Sequence, residues 1–129
     1  MNKTYIVTLL LFVAPNGKRL FFTSTRPIDK SKNEADAYIA PDESYILFIR
    51  RDGINICFHM KNKIWSRSFS ISKVLNSEFE DTWPRVSYDG KFIFFSSFRP
   101  SKEKLINNTP SIYWVSSLVI EEFRKLVKE

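Results

Sequence analysis

Three stretches of the chain share one pattern: an apolar run, a turn containing Asn or Asp, and a second apolar run with Phe near its end. Two of them, residues 14–27 (APNGKRLFFTSTRP) and 87–100 (SYDGKFIFFSSFRP), are identical at half of their positions. Asn16-Gly17 and Asp89-Gly90 form the turns, and tight hairpin turns favour these residue types because they tolerate positive φ. The pattern therefore predicts a repeated strand–turn–strand unit.

A weaker third copy lies between these two, in residues 38–53. Asp42 follows Pro41 at the turn, and Glu43 replaces the glycine of the other copies. The proline presets the φ of the turn, and Asn or Asp side chains accept hydrogen bonds from the backbone of their own turn. We therefore expect Asn16, Asp42 and Asp89 to have structural rather than catalytic roles.

Apolar and alternating runs predict strands over residues 4–13, 19–24, 45–50, 54–60, 63–69, 92–97 and 111–116. A turn at residues 61–62 joins two of these strands. Residues 117–128 repeat apolar side chains with the 3.6-residue period of a helix. Ser116 or Ser117 can cap this helix, Glu121 and Lys125 form an i,i+4 pair, and its apolar stripe is expected to pack on the preceding sheet.

The spacing of the repeats predicts the architecture. The stretch from Ala40 to Ser87 has the length of one four-stranded propeller blade, about 40–45 residues, whereas the stretch from Ala14 to Ala40 is too short. The blade's strands are 45–50, 54–60 and 63–69 with a strand near 84–87. The predicted fold is mainly β, with antiparallel four-stranded β-propeller-type blades in a partial propeller and a C-terminal α-helix.

We expect a single domain over residues 1–129. Its predicted parts are a signal-like segment or first strand (1–13), a partial repeat (14–39), a complete blade repeat (40–86), a second partial repeat (87–116) and the helix (117–129). Segment 1–13 has a lysine followed by apolar residues, as in a secretory signal, but it is too short to span a membrane. The signal interpretation implies a periplasmic or secreted protein; the strand interpretation implies a cytoplasmic one.

The composition supports a packed core, with 43% hydrophobic and 16% aromatic residues. Cys57 is the single cysteine, which excludes an internal disulfide and a cysteine-based zinc site, and it reads as a small buried residue. The net charge of +6 favours anionic partners, but the basic residues are dispersed rather than clustered. They are therefore interpreted as solvated outer faces.

No motif for catalysis, nucleotide binding or metal binding is found, so the sequence predicts no enzyme, cofactor or metal. His59 is the only histidine and has no Ser or Cys partner in a recognisable motif, so an outward or half-buried ring is expected. Three carboxylates in a connector fit no calcium-loop spacing: Glu78, Glu80 and Asp81.

Five residues form the candidate ligand or partner surface. Arg26 and Arg99 occupy equivalent positions of two repeats and are expected to pair with carboxylates or anionic ligands, or with a turn aspartate of the neighbouring repeat. Arg50, Arg51 and Trp65 complete this set.

The chain resembles the TolB-type, WD-repeat-like β-propeller family. The resemblance covers residues 33–126, with a partial match over 14–27. It lies in YIAPDESYILF, in the hairpin NICFHMKNKIWSRSFSISKVLNS with Trp65 and Leu75-Asn76-Ser77, in FEDTWPRVSYDGKFIFFSSFRP, and in SIYWVSSLVIEEF. Three positions depart from the family pattern: Glu43, Tyr88 and Ser111.

The resemblance implies a non-catalytic module that binds a protein or an envelope component. Partners would be another protein, or further copies of the chain through exposed sheet edges, and no transmembrane span is expected. A detached propeller domain, of the kind that gates substrates in serine peptidases, is an alternative. Binding of single-stranded nucleic acid is disfavoured, because it needs exposed aromatic side chains and the repeat positions of the Phe and Trp residues predict burial. Trp65, Trp83 and Trp114 are accordingly expected to pack in the core or between blades.

Overall fold

The computed structural model describes residues 8–14, 16–24, 35–75, 78–100 and 109–128. In this part of the chain the fold is mainly β and ends in one helix, as predicted. The elements are β1 (Thr8–Val13), β2 (Leu20–Ser24), β3 (Ala35–Ile39), β4 (Tyr45–Arg50), β5 (Gly53–Phe58), β6 (Phe69–Ser70), β7 (Asp81–Val86), β8 (Phe92–Ser97), β9 (Ser111–Ser116) and α1 (Leu118–Arg124).

The strands form three antiparallel sheets in which every strand pairs with its neighbour in sequence. The first sheet is β1-β2, the second is β3-β4-β5-β6 and the third is β7-β8-β9. The predicted strands 45–50, 92–97 and 111–116 match β4, β8 and β9 residue for residue. β1 includes the last part of segment 1–13, while residues 1–7 lie outside the described part of the chain.

The four-stranded meander is present, but its membership differs from the prediction. The strand near 84–87 belongs to β7 and therefore to the third sheet, and the second sheet instead begins with β3. The cause is the turn at Asp42: the N–H of Ala40 donates to the carbonyl of Tyr45 at 3.0 Å, which pairs the strand before the turn with the strand after it. Each sheet thus starts one strand before its repeated turn.

The predicted strand 63–69 is wrong over most of its length. The chain turns at residues 61–62 as expected, but regular pairing with β5 is limited to Phe69–Ser70. Lys63 has a φ of +66°, and the hydroxyl of Ser66 accepts the N–H of Phe58 at 3.0 Å. A side chain that satisfies the backbone in this way competes with ladder formation.

The three repeated hairpins share one backbone geometry. In each, the N–H of the residue that opens the turn donates to the carbonyl of the residue five positions on. The carbonyl of the same opening residue accepts the N–H of the residue three positions on. The pairs, with distances of 2.8–3.0 Å, are Ala14 with Arg19 and Gly17, Ala40 with Tyr45 and Glu43, and Ser87 with Phe92 and Gly90. The residues three positions on, Gly17, Glu43 and Gly90, have φ of +70°, +57° and +74°.

The polar turn side chains cap their own hairpins. The Oδ1 atom of each accepts the backbone N–H two residues on, at 2.9, 3.0 and 3.1 Å in Asn16, Asp42 and Asp89. Hydrogen bonds from the Ser87 hydroxyl and from this backbone amide hold the pKa of Asp89 below its ordinary value. These side chains therefore act on the turn itself.

The structural repeat extends further than the sequence repeat. The first strand of every sheet contains a register shift, between Thr8 and Leu10 in β1, Ala35 and Tyr38 in β3, and Thr82 and Arg85 in β7. Asp36 and Trp83 lie at the same distance before their turns and have φ of +51° and +54°. β-bulges of this kind bend a strand and redirect its side chains.

The main core lies between the second and third sheets. Ile54, Ile56 and Phe58 share one buried face of β5, as the alternation predicts. The other members of this cluster come from β4, β6, β8, α1 and the connector after β6: Leu47, Phe69, Ile71, Leu75, Ile93, Phe95 and Ile120.

Helix α1 covers one side of this core and is shorter than the predicted 117–128. Its residue Ile120 is buried, and the Phe123 ring lies 6.2 Å from that of Phe69 in β6, so the stripe packs on the second sheet as well as the third. Its ion pairs are i,i+3, Glu121–Arg124 and Glu122–Lys125, instead of the expected Glu121–Lys125. Among the described residues, no helix has the length and apolar character needed to cross a membrane.

The capping of α1 also differs from a simple serine cap. The hydroxyl of Ser117 donates to the carbonyl of Gly90 at 2.6 Å instead of binding the first turn. The hydroxyl of Ser116 accepts the N–H of Leu118 at 3.3 Å. Ser117 therefore fastens the start of the helix to the hairpin turn of the third sheet.

Candidate interaction surface

Arg99 is a structural residue of the third sheet. Its guanidinium lies 3.4 Å from the carboxylate of Asp81, which is 1% exposed, and donates from Nη1 to the carbonyl of Leu75 at 3.0 Å. The same group stacks over the rings of Phe95 and Tyr113, with 5.2 and 4.8 Å between Cζ and the ring centres. Arg99 thus ties the connector after β6 to both edges of the third sheet.

This geometry changes two sequence expectations. The partner of Arg99 is Asp81, the first residue of β7, and not a turn aspartate of a neighbouring repeat. Asp81 is a buried strand residue instead of a connector carboxylate, and its Oδ1 atom has no hydrogen-bond partner among the described residues. Arg26, the equivalent of Arg99, lies outside the described residues.

The other three candidate residues do not form one surface. Arg50 donates to the hydroxyl of Ser68 at 2.5 Å near the β4–β5 turn, where Arg51 is exposed. Trp65 is half-buried beyond the opposite end of β5 and stacks on His59 with 4.8 Å between ring centres. β5 has six residues, so about 20 Å of strand separates the two groups. His59 is half-buried, in agreement with the interpretation from sequence.

Glu43 connects the first sheet to the second, a role that sequence reasoning missed. Its carboxylate accepts a hydrogen bond from Nδ2 of Asn16 at 2.7 Å and lies 3.2 Å from the guanidinium of Arg19. The side chain is nearly buried even though its backbone has the left-handed conformation that the glycines adopt in the other copies. The presence of Glu43 in place of glycine was the available signal in the sequence, but the partners of Glu43 are more than 20 residues away.

The exposed aromatic residues contradict the expected burial. Trp83 is 65% exposed on the bulge of β7, and Trp114 is 63% exposed in β9. In β9 the alternating residues Tyr113 and Val115 pack on the core, so Trp114 and its neighbour Ile112, 75% exposed, are on the opposite side. Both faces of β9 are apolar in sequence, and the pattern alone gives no means to choose the buried one.

These side chains belong to one continuous surface, which we call the outer aromatic face. It consists of Phe92 and Phe94 in β8 and Ile112 and Trp114 in β9. Phe94 is the cross-strand partner of Trp114, and the Phe92 ring meets that of Trp114 edge to face with 5.2 Å between their centres. Trp83 lies on the adjoining edge strand.

The polar residues around the outer aromatic face carry little negative charge. On its three strands the remaining outward positions are Thr82, Arg85, Ser96 and Ser116, as the register with Phe92, Phe94 and Ile112 shows. Among the described residues at these positions Arg85 is the one with a charge. The face is therefore apolar at its centre and mildly basic at one edge.

Arg85 also influences the second sheet. Burial raises the pKa of Asp36, and the Arg85 guanidinium opposes this shift. Burial also raises the pKa of the Tyr38 hydroxyl, and the Arg85 guanidinium acts to lower it. β3 and β7 are thus close enough for their polar side chains to interact where the second and third sheets meet.

The described residues include no group of three or more His, Cys, Asp or Glu side chains arranged to bind a metal ion. Glu78 and Glu80 are exposed, whereas Asp81 is buried and paired with Arg99. The outer aromatic face is a candidate interaction site, because contiguous exposed apolar side chains can mark such sites.

Comparison of the chain with protein-family models, with curated proteins and with solved structures finds no match.

Proposed function

We propose that this chain is a non-catalytic, TolB-like β-propeller repeat module that binds a protein partner through the outer aromatic face. The observation that carries the proposal is the exposure of Trp114, Ile112 and Phe94 side by side on the outer side of the third sheet. Trp and Phe are enriched in protein interfaces, where large rings supply contact area at a low entropic cost.

The partial-propeller part of the proposal is supported by the order of the sheets. The first strands of successive sheets contact each other, β1 with β3 and β3 with β7. Each of these strands contains a register shift and leads into the same hairpin, and in β3 and β7 the shift lies at the same distance before the turn. In a propeller, four-stranded sheets repeat around a central axis, and successive sheets in contact through their first strands would fit that arrangement; β7 also contacts β4 and β5. A periplasmic or secreted location belongs to the same proposal and is supported only by the family resemblance.

The test compares two purified variants, Trp114→Ser on the outer aromatic face and Ile64→Ser as the matched control. Ile64 is 57% exposed and lies in the hairpin that follows β5 of the second sheet. Proteins captured from an extract by the wild-type chain are purified and titrated individually against all three chains. We expect a partner whose affinity falls at least tenfold with Trp114→Ser, about 1.4 kcal/mol, and is unchanged with Ile64→Ser.

The proposal fails if every purified partner binds Trp114→Ser as tightly as the wild-type chain. Circular dichroism and the urea midpoint of each variant show whether it is folded. Because Trp114 is largely exposed, its replacement should leave the core between the second and third sheets intact.

Binding of single-stranded nucleic acid is a second candidate, because the exposed Trp and Phe rings meet the condition that this function requires. Bases stack on such rings, and Arg85 and the net charge of +6 would attract the phosphates. Titration with oligothymidylate should then quench the tryptophan fluorescence of the chain, with an affinity that falls as salt is raised. No quenching at low salt would exclude this candidate.

A further inference from the structure

We infer that the second sheet binds an anionic lipid surface through its outer edge, on the side of strand β6. We call this region the basic edge and define it by its exposed cations, Arg51, Lys61, Lys63, Arg67 and Lys73. The outer aromatic face belongs to the third sheet, so binding at the basic edge goes beyond the proposed function and does not depend on it.

The positive charge of the chain is concentrated on the second sheet, although the basic residues are dispersed along the sequence. Residues 45–75 contain six of the 20 Lys and Arg residues and a single acidic residue, Asp52. They therefore account for five of the six net positive charges, and the rest of the chain is close to neutral. Such a distribution attracts anionic surfaces and turns the second sheet toward them.

The fold places these cations along one edge of the sheet. Strand β6 is the last in the order β3-β4-β5-β6, so residues 61–73 form the outer edge. They run beside β5: Trp65 forms a bridge with His59, and the N–H of Ile71 donates to the carbonyl of Ile54 at 2.9 Å. The length of this edge is that of β5, which has six residues and spans about 20 Å.

Both ends of the edge carry positive charge. The turn at 61–63 supplies two exposed lysines at one end. At the other end the hydroxyl of Ser72 donates to the carbonyl of Asp52 at 2.8 Å. The exposed side chains of Lys73 and Arg51, which are the chain neighbours of these two residues, are therefore brought to the same end of the sheet.

These charges are available for an external anion. Arg67 lies between the two ends, and its guanidinium lies over the ring of Phe69 with 4.1 Å between Cζ and the ring centre. No described carboxylate forms a salt bridge with four of the exposed cations, Arg51, Lys63, Arg67 and Lys73. An anionic surface can therefore bind them without first displacing an internal ion pair.

Exposed aliphatic side chains accompany the cations and favour a lipid surface. Ile64, which is 57% exposed, follows Lys63, and Val74, which is 48% exposed, follows Lys73. Lysines on an edge strand also prevent sheets from pairing edge to edge, but that role does not call for exposed aliphatic neighbours. Attachment to a membrane surface combines burial of apolar side chains with attraction of cations to anionic headgroups.

The aromatic residues of this edge disfavour a nucleic acid as the partner. Single-stranded nucleic acids bind where bases can stack on open aromatic rings. Trp65 is half-buried and stacked on His59, with 4.8 Å between the ring centres. Phe69 is buried beneath the guanidinium of Arg67. Neither ring offers an open platform for a base.

The experiment measures the partition of the purified chain onto sedimented vesicles at about 0.05 M salt. Vesicles of phosphatidylcholine and phosphatidylglycerol in equal amounts are compared with vesicles of phosphatidylcholine alone. We expect binding to the anionic vesicles only, and release from them at about 0.5 M salt, because salt screens the attraction. Each cation near an anionic surface should strengthen the partition about fivefold.

Two double variants with the same net charge test the location of the site. Lys63→Gln with Lys73→Gln removes one cation from each end of the basic edge and should lower the partition about 25-fold. Lys91→Gln with Lys128→Gln removes two exposed cations outside the second sheet and should leave the partition close to that of the wild-type chain. Ile64→Ser should lower it about three- to tenfold, since the aliphatic contact is lost. Circular dichroism and the urea midpoint show whether each variant is folded.

Three results would overturn the inference: no partition onto anionic vesicles at low salt, equal partition onto both kinds of vesicle, and equal losses in the two double variants. A fourth is binding of inorganic polyphosphate or oligothymidylate that depends on Lys63 and Lys73 while vesicles are not bound, which would assign the basic edge to a soluble polyanion. The inference and the proposed function fail separately. A chain that binds a purified protein through Trp114 but binds no vesicles contradicts only the inference, and the reverse contradicts only the proposed function.

Discussion

Glu43 is the position at which the second hairpin departs from the other two. At this position glycine should give a more stable protein than alanine, which is the reverse of the usual order of stability. Its φ of +57° is in the left-handed region, where Gly17 and Gly90 lie in the equivalent turns. For a residue with a Cβ this conformation costs about 1–2 kcal/mol. The native carboxylate offsets that cost through its contacts with Asn16 and Arg19.

The magnitudes follow from these contacts. A hydrogen bond to a charged group contributes about 1.5–3 kcal/mol, and the half-buried bond from Asn16 belongs at the lower end. Arg19 is half exposed, so its ion pair contributes at most about 1 kcal/mol. Glu43→Ala loses both contacts and keeps the backbone cost, an expected loss of about 2 kcal/mol. Glu43→Gly loses the same contacts but recovers about 1 kcal/mol of that cost.

The assay is equilibrium unfolding in urea, followed by circular dichroism, for the wild-type chain and three variants. The expected order of stability is wild type, Arg19→Ala, Glu43→Gly and Glu43→Ala, with Gly about 1 kcal/mol above Ala at residue 43. Arg19→Ala is the control that removes only the ion pair. Glu43→Gly proving less stable than Glu43→Ala would refute the backbone argument. Equal losses in Arg19→Ala and Glu43→Ala would show that the ion pair dominates instead.

Three further changes test the structural roles derived above. Arg99→Met leaves the buried Asp81 carboxylate unpaired and should lower the free energy of unfolding by about 3–5 kcal/mol. Adding Asp81→Leu to this variant should restore most of the lost stability. A double variant that is no more stable than Arg99→Met would contradict the pairing. Gly53→Ala puts a Cβ 2.2 Å from a serine hydroxyl at a φ of +99° and should cost about 2–4 kcal/mol in urea unfolding, and a loss below about 1 kcal/mol would show that the turn relaxes. The folded-state pKa of Asp89 is depressed, so its carboxylate stabilises the fold above the unfolded pKa and this contribution is lost as pH falls below about 4. Asp89→Asn should therefore show a shallower fall of the urea midpoint with acid, and an unchanged slope would argue against the turn hydrogen bonds.

The hairpins were predictable because their determinants are local. Asn16, Asp42 and Asp89 each bind a backbone amide two residues away, and short apolar and aromatic runs mark the strands beside the turns. β4, β8 and β9 were therefore predicted to the residue. The prediction failed at 63–69, where the hydroxyl of Ser66 accepts the N–H of Phe58, eight residues earlier, a contact that the apolar pattern does not reveal.

The candidate surface was less predictable because its composition depends on which faces meet. Arg99 was selected from its repeat position, but its partner Asp81 is 18 residues away and lies in an edge strand of the same sheet. Trp83 and Trp114 were expected to be buried, since large aromatic residues usually are. Their exposure follows from the bulge of β7 and from the packing of Tyr113 and Val115 on the core.

The sequence by itself determined the three turns, the strands that follow them, the presence of the terminal helix and the mainly β character of the chain, but it did not predict β3 or most of β7. Only the tertiary structure decided that the second sheet begins at β3, that Glu43 ties two sheets together, and that Trp114 faces outward while Tyr113 faces inward. Turn chemistry and strand alternation act over a few residues and can be read along the chain. Burial and ion pairing depend on surfaces from distant segments, and a strand that is apolar on both faces acquires an inner and an outer side only when another layer packs against it.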